Sequence, residues 1–433
     1  MSIATPSRST AVSPDAPSSY AGPLAVVTTL FFMWGFLTCL NDILVPHLKS
    51  IFDLNYTKVM LIQFAFFGAY FLFYIPSAKI IDWIGYQRSM VLGLLTMGAG
   101  AFLFVPAASV PSYPLFLMAL IVLAAGITCL QVAANPYVTV LGKPQTASSR
   151  LNLTQAFNSL GTFLAPFFGG LLILSSAPKA MDEIRAMAPD ALQAYRLHEA
   201  ATVKTPYVGL GITLVLLAIA IGSFKLPKIP QAQHKVGEKV DDSIWRHPNL
   251  VFGAIAIFVY VGAEVAIGSF LVNYFSQPDI GGLTEKVAAS FVAFYWGGAM
   301  VGRFIGSGLL QKMNTGRLLG ICSVCAAALV TISMLSTGHF AMWSIILVGF
   351  FNSIMFPSIF TLGVAELGPL TGDGSGIMIM AIVGGAIIPL VQGAIADRVG
   401  IHHAFFLPVV CYVYILFFAL SGSKPNSERH AHS

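Results

Sequence analysis

The chain of 433 residues is 56% hydrophobic and 9% charged, with a formal net charge of +5. Soluble domains carry roughly 25% charged residues, so water is not the solvent for most of this chain. The basic residues are spread among loops without a clustered patch, which excludes a nucleic-acid partner. No phosphate-binding loop, nucleophile elbow or metal-ligand cluster occurs, which argues against an ATP-driven pump and against a membrane enzyme.

Residues 1–22, rich in Ser, Pro and Ala, read as a disordered cytoplasmic tail. The apolar run that follows is too long for a signal-peptide core and holds Trp34, Asn41 and Asp42, so it is a retained helix. Runs of roughly 20 apolar residues then recur, the length a helix needs to cross a hydrocarbon core of about 30 Å. Backbone amides in lipid must be satisfied within their own segment, and the runs lack the alternation of a membrane barrel. The fold class predicted is therefore an all-α membrane protein with about twelve spans.

Six spans fall in an N-terminal half, residues 23–226, and six in a C-terminal half, residues 247–421. Two connections are long. One, at about 175–205, carries charges and enough Ala and Leu for one or two short surface helices. The other, 227–246, holds Lys228, Lys235, Lys239 and Arg246 and reads as a cytoplasmic linker. The excess of Lys and Arg on the linker side places both termini, including the tail 422–433, in the cytoplasm.

The halves echo one another. Pro136-Tyr-Val-Thr-Val-Leu-Gly142 closes the fourth span and Pro357-Ser-Ile-Phe-Thr-Leu-Gly363 closes the tenth, and Pro166 and Pro389 follow at similar offsets. A duplicated transporter shows repetition at such corresponding helices, and two parallel six-helix repeats around a midplane site are the major facilitator architecture.

A carboxylate deep in a bilayer is costly and marks a substrate or ion path unless it is a paired or protonated structural group. Glu264 lies mid-way along the seventh span, with no Lys or Arg within two turns on its own helix. Asp42, in the last third of the first span, reads equally as an ion site or a helix-end polar group, and His47 beyond it as interfacial. Gln131 and Asn135 share one face of the fourth span, and Asn152, Gln155 and Asn158 one face of the fifth. Amides both donate and accept, as sugar hydroxyls do. Gln131 and Gln155 are favoured as ligand contacts, whereas Asn135, Asn158 and Asn352 suit interhelical bonding equally well. Trp34 and Trp296 could stack on a sugar ring, but packing is the stronger reading. The five cysteines lie in apolar runs and read as buried small side chains, the spacing of Cys322 and Cys325 notwithstanding. Asp82 and Arg88 around Gly85 suggest a gating turn in which Asp82 pairs with a base, with Arg303 and Arg317 as its counterpart in the second half.

Leu40-Asn-Asp-Ile-Leu-Val-Pro46, Ala133-Ala-Asn-Pro-Tyr-Val-Thr-Val-Leu-Gly142, Arg150-Leu-Asn-Leu-Thr-Gln-Ala-Phe-Asn-Ser159 and Tyr260-Val-Gly-Ala-Glu264 closely resemble the fucose:proton symporter family of the major facilitator superfamily. Gln131 and Glu264 stand where the fucose branch has a glutamate and a glutamine, and with Phe32-Met-Trp-Gly-Phe36 they resemble the glucose/galactose branch. The resemblance implies a hexose symporter of the bacterial inner membrane, with no cofactor beyond a coupling proton or sodium ion. It would be a monomer whose only other partners are the sugar and the bilayer. It also implies ion coupling at Asp42 and Glu264 and sugar contacts from Gln131, Gln155, Asn135, Asn158, Asn41, Asn352 and Glu264. Fucose, mannose, N-acetylglucosamine and facilitated uniport remain the alternatives.

Overall fold

A computed structural model describes residues 20–52, 56–110, 112–172, 186–227 and 243–424, with side chains left undescribed at 38–52, 56–64, 166–172, 199–203, 285, 286 and 289. The two tails up to residue 19 and from 425, most of the linker, and the start of the long loop lie outside the described residues.

The described elements are helical throughout. They are α1 Ala21–Phe52, α2 Tyr56–Ser109, α3 Tyr113–Val140, α4 Ala147–Leu172 and α5 Pro189–Ser223, followed by α6 Pro248–Phe275, α7 Glu285–Leu309 and α8 Thr315–Leu335. The chain ends in α9 Gly338–Asn352, α10 Met355–Gly363, α11 Thr371–Met380, α12 Gly384–Val399, α13 Ile401–Ala404 and α14 Phe406–Phe417. Helix α2 contains the second and third spans, joined at Gly85, whose φ of 77° and ψ of 170° lie where only glycine is at ease. Three pairs, α9 with α10, α11 with α12 and α13 with α14, each form one interrupted span. The fold is thus twelve transmembrane helices in two six-helix repeats.

Among the described residues of the long loop, 186–205, no separate surface helix forms: α5 runs unbroken from Pro189 into the sixth span despite Pro206. A proline within a helix costs a hydrogen bond but does not end the helix when packed neighbours hold the axis.

Helix pairs repeat between the halves. A Cβ at Gly35 of α1 would collide with the Asn158 carbonyl of α4, and one at Gly384 of α12 would collide with the Phe258 carbonyl of α6. Without a hydrophobic drive between helices in lipid, such close backbone approach supplies the packing energy.

The halves meet at the end of the bundle where the linker leaves. Ser149 Oγ donates to the Ser307 carbonyl at 2.6 Å, Asn152 Nδ2 to the Arg303 carbonyl at 2.7 Å, and Thr315 Oγ1 to Ser148 Oγ at 3.0 Å. On the other flank, α11 packs on α2, where a Cβ at Gly372 would lie 3.4 Å from Asp82 Oδ1.

Candidate functional site

Proline placement opens the backbone where the halves touch. Pro136 lacks an N–H and so leaves the Val132 carbonyl, four residues back, without its helical donor; that oxygen accepts from Ser375 Oγ of the other half at 3.0 Å. Pro357 does the same for Ser353, and the Ser353 carbonyl accepts from Arg303 Nε at 3.3 Å. The repeated proline of the sequence therefore creates an equivalent acceptor in each half.

Arg303 is the hub. Its guanidinium donates to Ser159 Oγ on α4, reaches the Ser353 carbonyl between α9 and α10, and places Nη2 3.9 Å from Glu264 Oε1 on α6. The two charged side chains are 14% and 13% exposed, so they form a largely enclosed pair in contact with both halves. Glu264 Oε1 is enclosed without a hydrogen-bond partner. Arg303 and Arg317 are expected together to form the second half's counterpart of the Asp82–Arg88 gating turn, but the structure separates them. Arg303 sits within the bundle as the counter-charge that Glu264 lacks on its own helix, whereas Arg317 is exposed at the start of α8.

The amides divide sharply. Gln131 Nε2 donates to Tyr70 Oη at 2.9 Å while its Oε1 is buried and unpartnered. Both amide atoms of Asn135, one turn on, are buried without partners, as is Gln155 Nε2. Gln155 lies on the α4 face between Asn152 and Ser159, both bonded to Arg303. Orphaned buried polar atoms are rare, and each calls for a water, an ion or a ligand. By contrast, Asn158 Nδ2 donates to the Phe31 carbonyl at 2.9 Å and ties α4 to α1. Asn352 is similarly committed: Nδ2 donates to Tyr295 Oη at 2.9 Å, Oδ1 accepts from Tyr412 Oη at 2.8 Å, and its carbonyl accepts from Tyr260 Oη at 3.0 Å. These two satisfy the interhelical reading.

The side chains of Asn41, Asp42 and His47 lie outside the described residues. Asp82 faces the first turn of α11, a favourable place for a carboxylate, while Arg88 is exposed. Trp34 packs on Phe31 with centroids 5.4 Å apart, and Trp296 lies over Gly268, both as packing groups. Among the described residues no group of His, Cys, Asp and Glu could hold a metal ion.

Sequence reasoning missed Tyr70, Ser159, Tyr295 and Tyr412. Single tyrosines and serines in apolar helices give no signal of their own, and only the paired prolines pointed to this level of the bundle.

Two pseudo-equivalent six-helix halves around an intramembrane ion pair and unpaired amides define a membrane transporter. The chain belongs to the Major Facilitator Superfamily, whose family model matches residues 25–382. It is 53% identical over 410 residues to the glucose/galactose transporter of Brucella abortus, covering 95% of this chain and 96% of that one. It is 37% identical over 423 residues to the L-fucose-proton symporter of Escherichia coli, covering 96% of each. The solved structure of a fucose transporter in the outward conformation superposes with a TM-score of 0.86 at 35% identity, over 94% of this chain and 99% of that one. The likeness to the glucose/galactose and fucose branches read from the motifs is borne out.

Proposed function

We propose that this protein imports a hexose, glucose or galactose, by cation symport through alternating access of its halves. The observation that carries the reading is the largely enclosed Glu264–Arg303 pair, whose arginine is held by both halves. A coupling cation biases the cycle only by binding one conformation better than the other. A proton or sodium ion on Glu264 cancels its charge and weakens its hold on Arg303, the same group that ties α7 to α4 when the linker end is closed. Two unit charges about 4 Å apart attract by about 4 kcal/mol at an effective dielectric of 20, enough to shift a two-state equilibrium strongly. Asp42 is the second coupling carboxylate, acting as relay or gate. Gln131, Gln155 and Asn135 offer the unpaired donors and acceptors that a sugar's hydroxyls complete. Asp82, against the first turn of α11, holds the gate on the second flank.

The names of the relatives support this reading, and the fucose-proton symporter favours a proton as the cation. The protein lies in the bacterial inner membrane as a monomer, with halves at 23–226 and 247–421, both termini in the cytoplasm, and no cofactor. Labelling of Lys235→Cys and Asp190→Cys, each in a cysteine-free background, should report opposite sides; labelling from one side would refute the orientation.

Uptake by proteoliposomes with sodium and proton gradients imposed separately tests the mechanism. The parent should accumulate glucose or galactose under one gradient, and Glu264→Gln should exchange sugar downhill without accumulating it. Accumulation of fucose, mannose or N-acetylglucosamine instead would change the substrate. Concentrative uptake at parental rates by both Glu264→Gln and Asp42→Asn would favour uniport.

A further inference from the structure

Away from the interface between the halves, α8, the end of α10 and α14 enclose a groove of about 720 Å³ at the linker end of the C-terminal half. Its floor is small: a Cβ at Gly316 would lie 2.9 Å from the Ala419 carbonyl, so the helices close beneath it. Its walls include Ile321, Val324, Leu416 and Leu420. Ile321, Val324 and Leu420 are 46%, 50% and 61% exposed, so the groove opens sideways onto the surface that meets acyl chains. Its rim carries Arg317 and Lys424 against the single acid Glu366, an excess of one positive charge. Arg317 stands three residues beyond the Asn314 cap of α8, and Lys424 two residues beyond the last helical turn at Gly422. Both cations therefore lie where the helices leave the hydrocarbon, the level of lipid headgroups.

We infer that this groove binds one anionic phospholipid, its phosphate between Arg317 and Lys424 and an acyl chain along Ile321, Val324 and Leu420. Basic pockets between membrane helices recognise anionic headgroups through this combination of cations and apolar walls. The bound lipid braces the end of the tenth span. Leu362 and Ala365 line the groove, and their carbonyls are gripped from the far side by Asn249 Nδ2 at 3.3 and 3.0 Å. The inference is independent of which sugar or cation the protein carries.

Native mass spectrometry of the full-length protein, with phosphatidylglycerol and phosphatidylcholine added at matched concentrations, tests it. Phosphatidylglycerol should be retained in preference. The double variant Arg317→Gln, Lys424→Gln should lose about thirtyfold in apparent affinity, the effect of two basic groups at a membrane surface. Val324→Trp, which fills the groove without changing its charge, should also lose the lipid, while Lys143→Gln, Lys225→Gln at the same end of the other half should keep it. Equal retention of the two lipids, preference for phosphatidylcholine, or equal losses in the two double variants would overturn the assignment.

Discussion

The two halves share a fold but not a chemistry. The N-terminal half brings neutral amides, Gln131, Asn135 and Gln155, with buried atoms left unpaired. The C-terminal half brings the ion pair seen among the described residues, Glu264 and Arg303, beside an asparagine whose amide and carbonyl are all engaged by Tyr295, Tyr412 and Tyr260. Duplicated scaffolds can thus bring different groups to one interface: neutral amides with unpaired atoms from one half, and from the other an ion pair beside a fully engaged asparagine, with Ser358 and Gln392 also keeping buried atoms unpaired. An unpaired buried polar atom points to function, and a fully paired one to architecture.

The largest break in this comparison comes from Arg303. Arg303→Ala leaves Glu264 buried without a counter-charge and should cost about 3–5 kcal/mol of stability. The double variant Arg303→Ala, Glu264→Gln should recover much of that loss, as thermal unfolding in detergent will report. Simple additivity of the two losses would show that the residues do not act as a pair.

Asn352→Ala comes next. It strands the hydroxyls of Tyr295 and Tyr412, and a buried group left unsatisfied costs about 1–3 kcal/mol. The loss should appear in unfolding temperature with little change in sugar affinity, because this residue ties α9 to α7 and α14. A fall in affinity at unchanged stability would move Asn352 into the binding site.

Gln131→Ala should do the reverse. Sugar affinity should weaken several-fold, about 0.5–1.5 kcal/mol for one lost hydrogen bond, measured by titration calorimetry on purified protein. Parental affinity in both Gln131→Ala and Gln155→Ala would end the assignment of the N-terminal half as the hydrogen-bonding half.

The smallest effect is expected at Asn158→Ala, which removes one bond to the Phe31 carbonyl. Interhelical bonds in membranes are worth about 0.6 kcal/mol on average, so unfolding should shift slightly and affinity hardly at all. A large loss of affinity would return Asn158 to the group of sugar contacts.

Composition and the spacing of apolar runs determined by themselves that the chain crosses a membrane many times, since about 20 residues of helix in lipid leave few alternatives. The Pro136 and Pro357 repeat exposed the duplication, and a lone mid-span carboxylate singled out Glu264. Three things were settled only by tertiary structure. Arg303 is 39 positions from Glu264 in the chain, and nothing along either helix says that α6 and α7 turn these side chains toward each other. Asn158 and Gln155 are three residues apart on one helix, yet one meets a backbone carbonyl of α1 and the other keeps a buried N–H unpaired. Asp82 faces the first turn of α11 because α2 and α11 meet across the halves. The sequence carries each residue's capacity for bonding, but whether that capacity is spent inside the protein or kept for a ligand depends on which helices pack together.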